Sequence, residues 1–137
     1  MEKISQEVKN TQSIGSKLAV LYADQTVLNL VSDITIVVGH REFQLHKIIL
    51  CASSPIFYEM CQFGKDTKEA IPLKETEDCA EHFGDFVKYL YTGNVTLNLD
   101  NVQAIINLAD KYQVEDLVEI AKTFQRKYER GNYILVS

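Results

Sequence analysis

The sequence predicts a mixed α/β (α+β) domain in which a small three-stranded sheet is capped by a cluster of about six helices. Three observations predict it. The chain has 137 residues, a length at which one compact core buries about two thirds of the unfolded surface. From Asp33 the pattern has period two, with Ile34, Ile36 and Val38 on one face, as a half-buried strand requires. Elsewhere apolar stripes recur at helical spacing, first at Ile14 to Tyr22 and then through most of the chain after Thr76.

Residues 1–12 are polar and lack a period, so a flexible N-terminus is expected ahead of a domain at 13–130. Ile14, Leu18, Leu21 and Tyr22 then predict an amphipathic helix. After the first strand, Gly39-His40 permits a tight turn into a second strand carrying Phe43 and Leu45, which makes a β-hairpin. The nearly apolar run from Lys47 to Ala52 suits a short buried helix, although period alone leaves a strand open. Ser54 as N-cap and Pro55 at the first helical position start another helix ahead of Ile56, Phe57 and Met60.

Ala70-Ile71-Pro72-Leu73 reads as the third strand, and Pro72, with no N–H to donate, confines it to a sheet edge or a strand end. One helix is expected from about Thr76 to Thr92, with Phe83, Phe86, Val87 and Leu90 on one face and Gly93 as its C′ residue. Asp100 and Gln103 have the spacing of a capping box ahead of Val102, Ile105, Ile106, Ala109 and Tyr112. The last helix carries Leu117, Ile120, Ala121, Phe124 and Tyr128 on one side. Glu115 and Asp116 lie in its first turn and Arg126, Lys127 and Arg130 in its last, as the macrodipole favours. Gly131 is expected to stop it, leaving 131–137 as a C-terminal tail.

Composition narrows the function. Hydrophobic residues make up 46% and charged residues 24% of the chain, which fits a globular domain and not a disordered one. A net charge of -5 disfavours a nucleic-acid surface, which needs a concentrated excess of cations. The one basic cluster, Lys122, Arg126, Lys127 and Arg130, is interleaved with Glu119 and Glu129. Cys51, Cys61 and Cys79 are odd in number and lack C-x-x-C spacing, which argues against a disulfide framework and a zinc knuckle and for a reducing compartment. The start of the chain lacks the pattern of a signal peptide, and no stretch approaches the roughly 18 apolar residues of a membrane span. The expected location is cytoplasmic or nuclear, with no membrane and no small-molecule substrate.

The window SDITIVVGHREFQLHKIILCASSPIF at 32–57 resembles the signature of the BTB/POZ family. The matching positions are Asp33, Phe43, His46-Lys47, Leu50 and Ser54-Pro55-Ile56-Phe57. FGDFVKYLYTGNVTL at 83–97 and NVQAIINLADKYQVEDL at 101–117 resemble two later blocks of the same family in the same order. The resemblance implies a BTB/POZ fold, usually a homodimer joined through the first helix. It further implies an adaptor that grips cullin-3 in a ubiquitin ligase, or alternatively a dimeric scaffold that recruits transcriptional corepressors. The tail would then lead toward a BACK-like region.

From that resemblance the dimer interface is expected at Ile14, Leu18, Leu21, Tyr22, Asp33 and Lys47, with Asp33 and Lys47 as a charged pair. The expected partner contacts are Tyr58, Met60, Phe63, Lys65 and Asp66. Adaptor members of the family often place an acid two positions after an apolar anchor; here Lys65 follows Phe63. His46 is expected to be a fold residue hydrogen-bonded near a helix start, because no nucleophile and orienting partner can be recognised around it. No catalytic residue and no cofactor is expected. The competing class, a metal-binding or enzymatic domain, would use Cys61, Cys79 and His82. Cys79 and His82 have the i, i+3 spacing of neighbours on a helix face, and that class would carry bound zinc or a thiol of depressed pKa.

Overall fold

The computed structural model describes residues 14–24, 31–63 and 70–136. The first described element is helix α1 at Ile14–Ala23; strands β1 at Ile34–Val38 and β2 at Arg41–Leu45 come after it. Val38 lies opposite Arg41 in an antiparallel register, so only Gly39 and His40 link the strands. Gly39 has φ +63°, a conformation that side-chain-bearing residues rarely adopt. Helices α2 at Lys47–Ser53 and α3 at Pro55–Phe63 follow, then strand β3 at Ile71–Leu73. β3 pairs in parallel with β1, and the strand order is β2-β1-β3. Pro72 thus sits on an outer strand, where its missing N–H breaks no central ladder.

The remaining helices are α4 at Glu77–Glu81, α5 at Phe83–Thr92, α6 at Val102–Lys111 and α7 at Glu115–Val136. They supply most of the core: Phe83, Phe86 and Val87 from α5, Ala104, Ile105, Leu108 and Ala109 from α6, and Leu117 and Ala121 from α7 are buried. Gly93 ends α5 in the left-handed conformation at φ +74°, donating its N–H to the Tyr89 carbonyl. That is the ordinary role of glycine after a helix.

Three local expectations are corrected. The helix expected from Thr76 to Thr92 is broken at His82, whose φ of −99° and ψ of 10° separate α4 from α5. The break lets Cys79 face the Ala104 carbonyl of α6, with Sγ at 3.9 Å, while Phe83 meets Phe43 of β2 edge-on at 5.2 Å. Asp100 and Gln103 do not form a capping box. The buried Asn101 organises that loop instead: its Oδ1 accepts from the Asn98 N–H at 2.9 Å and its Nδ2 donates to the Thr96 carbonyl at 2.8 Å. An amide can accept and donate at once, which a carboxylate cannot. Gly131 does not stop the last helix, which runs on to Val136; a lone glycine costs a helix only about 1 kcal/mol relative to alanine.

Candidate functional site

The candidate sites are surfaces, and the first lies where the end of α1 and the start of α2 are both held by Tyr91 of α5. His46 shows how the sequence builds that frame. His46 is the N-cap residue of α2. Its backbone N–H donates to the Tyr91 hydroxyl at 2.9 Å, and its Nδ1 lies 2.8 Å from the same oxygen. Tyr91 also receives the ring of Tyr22, with centroids 5.1 Å apart, so α1 is fastened to α5 beside the beginning of α2. Burial, the largest cause, raises the pKa of Tyr91 well above the usual phenol value, although the His46 N–H works in the opposite direction. Tyr22 is raised as well, again by burial first and then by the Asp85 charge.

The expected interface residues separate at this frame. Tyr22 turns inward onto Tyr91, whereas Leu21 is 41% exposed. The side chains of Ile14 and Leu18 lie outside the described residues, although both positions fall within α1. Asp33 and Lys47 are brought together through the backbone: Asp33 Oδ1 accepts from the Lys47 N–H at 2.8 Å. A carboxylate there satisfies one of the orphan donors of the first helical turn and complements the helix dipole. Two residues that sequence reasoning missed enlarge the apolar surface, Val20 at 73% and Ile48 at 77% exposed. Ile48 was open to detection: it belongs to the run Ile48-Ile49-Leu50, and three consecutive residues of a helix cannot all face one side.

The second surface is on α3. Ser54 caps that helix by accepting the Phe57 N–H at 3.1 Å, and its own hydroxyl donates to the Tyr112 carbonyl at 2.6 Å. Phe57 then stacks on Tyr112 with ring centroids 4.5 Å apart. With Phe57 fixed inward, Tyr58 projects outward and is half exposed, while Met60 is packed against the core. Lys65, Asp66 and the side chain of Phe63 lie outside the described residues.

The alternative built on Cys61, Cys79 and His82 is not assembled. Cys79 is buried against α6, whereas Cys61 is half-buried on α3. Burial first, and then the neighbouring Cys51, push the Cys61 thiol up to about 11, the opposite of the depressed pKa that activates a nucleophilic cysteine. His82 instead lies between two carboxylates, with Nε2 3.8 Å from Asp78 and Nδ1 3.6 Å from Asp85. Donor atoms of Asp78, Glu81 and His82 fall within 4.8 Å of one another. Asp78 and Glu81, but not His82, border an open groove of about 760 Å³ between α4 and the Gly39-His40-Arg41 turn. Among the described residues no helix is long and apolar enough to cross a membrane.

Comparison with known proteins places this geometry. The family model for the BTB/POZ domain matches residues 23–129. Kelch repeat and BTB domain-containing protein 4 of Mus musculus is 38% identical over 112 residues, covering 78% of this chain and 20% of that protein. Kelch-like protein 41b of Danio rerio is 32% identical over 108 residues, covering 76% and 18% respectively. The chain therefore spans about a fifth of the length of these relatives. Among solved structures, the BTB domain of human gigaxonin superposes with a TM-score of 0.70 at 23% identity, over 90% of this chain and 99% of that one. The BTB domain of zebrafish PATZ1 gives 0.68 at 17% identity with the same coverage. At those identities the two structures speak to the fold.

Proposed function

The chain belongs to the BTB/POZ domain family, whose fold is that of a protein-interaction module, and we propose that it homodimerises through α1 and the start of α2 and serves as an adaptor for a cullin-3 ubiquitin ligase. The observation that carries the dimer is the exposure of Val20, Leu21 and Ile48 on two elements fastened side by side by Tyr22, Tyr91 and His46. Burying a large aliphatic side chain fully is worth about 1.5–3 kcal/mol. A two-fold contact uses each such residue twice, because the same patch meets itself. Asp33 supports the seam by fixing the first turn of α2, from which Ile48 projects.

The adaptor role draws on α3, where the Ser54 cap and the Phe57–Tyr112 stack hold Tyr58 outward in the helix that ends at Phe63 and precedes Lys65 and Asp66. The relatives named for both Kelch repeats and a BTB domain favour an arrangement in which a second module of the chain holds a substrate. We place that work in the cytosol or the nucleus. Lys65, which stands where adaptors often carry an acid, favours the competing reading of a dimer that recruits transcriptional corepressors through its own seam.

Calorimetric titration with the N-terminal domain of cullin-3, alongside the solution mass of the chain, tests the proposal. A dimer that binds at micromolar concentration or better, and loses that binding in Phe63→Ala, is the expected result. A dimer that gives no heat leaves the corepressor scaffold. A monomer at all concentrations overturns the seam.

A further inference from the structure

We propose that the groove between α4 and the Gly39-His40-Arg41 turn is a docking site for an arginine-bearing peptide segment of another protein. Four carboxylates stand in its lining, those of Glu75, Glu77, Asp78 and Glu81. Arg41 Nη1 donates to the Glu81 carbonyl at 3.2 Å, which ties the hairpin turn to the end of α4 and frames the space between them.

The chain neutralises one of the four carboxylates with a cation of its own. Glu75 takes the Lys111 ammonium and the Tyr112 hydroxyl, each at 2.6 Å. Among the described residues no lysine or arginine lies within ion-pair distance of Glu77, Asp78 or Glu81. Asp78 has only His82 at 3.8 Å, a partner charged when protonated, and Arg41 gives its Nη1 to a backbone carbonyl. Glu77, Asp78 and Glu81 are all exposed, and a concave surface of one sign focuses its field on an incoming counter-charge.

Two features narrow the occupant. Oxygens of Asp78 and Glu81 lie within 4.8 Å of each other, on one helix face at i, i+3 spacing. A guanidinium, planar and with five donors in a fixed fork, bonds two neighbouring carboxylates at once, whereas an ammonium offers a point charge. The groove of about 760 Å³ far exceeds the roughly 30 Å³ of a water-sized group and falls in the range of sites that enclose most of a ligand. It therefore suits a chain segment and not a lone ion. None of its lining residues belongs to the seam of α1 and α2 or to α3, so the site depends neither on the dimer nor on cullin-3.

The test titrates the intact, isotope-labelled chain with a capped pentapeptide of two arginines among glycines and follows the backbone amides by NMR. Saturable shifts should gather at Gly39, His40, Ala80 and Glu81, which line the groove, and should weaken as ionic strength rises. The same peptide with lysines should bind less tightly, and one with glutamates should not bind. Asp78→Asn combined with Glu81→Gln should weaken binding about tenfold or more. Glu115→Gln combined with Glu119→Gln removes the same charge from exposed positions on α7 and should change it by less than about twofold. Shifts scattered without saturation, or equal weakening in the two double variants, would assign the attraction to the net charge of -5 and overturn the proposal. The absence of any shift would overturn it too, and equal binding of the lysine peptide would overturn the choice of a guanidinium. The shift map comes from the unsubstituted chain, so its result stands even where a double variant fails to fold.

Discussion

Two apolar regions of this molecule are built from similar residues and end differently. Around Tyr112 every group is answered from within the chain. The ring stacks on Phe57 and leans on Phe86, the hydroxyl donates to Glu75 at 2.6 Å, and the carbonyl accepts from Ser54. Glu75, buried with its side chain 6% exposed, also takes the Lys111 ammonium at 2.6 Å. At the end of α1 and the start of α2, Val20, Leu21 and Ile48 have no such cover within the described residues. Apolar character alone does not separate core from contact surface; the closure of polar groups around it does. Among the described residues no buried side-chain nitrogen or oxygen lacks a partner.

The comparison is broken most severely by removing a ring from the closed region. Phe57→Ala takes away the stacking face of Tyr112 in a wholly buried position and should cost about 3–5 kcal/mol, read as a fall in the urea midpoint at constant slope. A loss near 1 kcal/mol would mean that the neighbouring rings collapse into the space. Tyr112→Phe keeps the stack and deletes only the donor to Glu75, at an expected cost of about 1–3 kcal/mol. If that variant is neutral, Lys111 alone satisfies the buried carboxylate, and the hydroxyl contributes packing only.

The same closure makes stability fall at alkaline pH. Burial, with help from the Asp116 carboxylate, pushes Tyr89 up to about 12, and burial and Glu75 raise Tyr112 further in the same direction. Both phenols ionise more readily in the unfolded chain, near the ordinary value of 10.0. Their contribution is therefore fully present below about pH 10 and is lost as pH rises through the folded-state values. Melting temperatures should be level as pH approaches 10 and fall above it, with a shallower fall in Tyr112→Phe. An equal fall in that variant would assign the alkaline transition to other groups.

The closed region was more legible in the sequence than the open one, for physical reasons. Turns and caps announce themselves because the chemistry is local: Gly39-His40, Ser54-Pro55 and Gly93 each fix a backbone conformation within a few residues. Pro72 likewise confined its strand to a sheet edge or a strand end, and the strand is an outer one. The break at His82 was hidden because it is imposed from a distance, by Cys79 seeking α6 while Phe83 seeks β2. Asn101 was hidden because a polar residue in a loop gives no sign of burial until Asn98 and Thr96 fold around it. At the candidate surface, spacing grouped Leu21 with Tyr22, yet neighbours on a helix point about 100° apart, and only the aromatic partner Tyr91 decided which of them turned inward. Val20 lay outside the stripe and had no local signal.

The smallest effect on stability is the sharpest test of the open region. Val20 and Ile48 are exposed, so Val20→Ser combined with Ile48→Ser should change the unfolding free energy of the protomer by within about 0.5 kcal/mol per site, as surface substitutions do. Solution mass should nevertheless move from dimer toward monomer, because burying these side chains across the seam is the gain that association supplies. A large loss of protomer stability with unchanged mass would reverse the assignment: Val20 and Ile48 would then be covered by the chain's own segments, and the region would be core after all. Unchanged mass with unchanged stability would leave Leu21 as the remaining exposed aliphatic of α1 among the described side chains, testable alone as Leu21→Ser. The two quantities separate the readings because a core residue acts at every concentration, whereas a seam residue acts only where two chains meet.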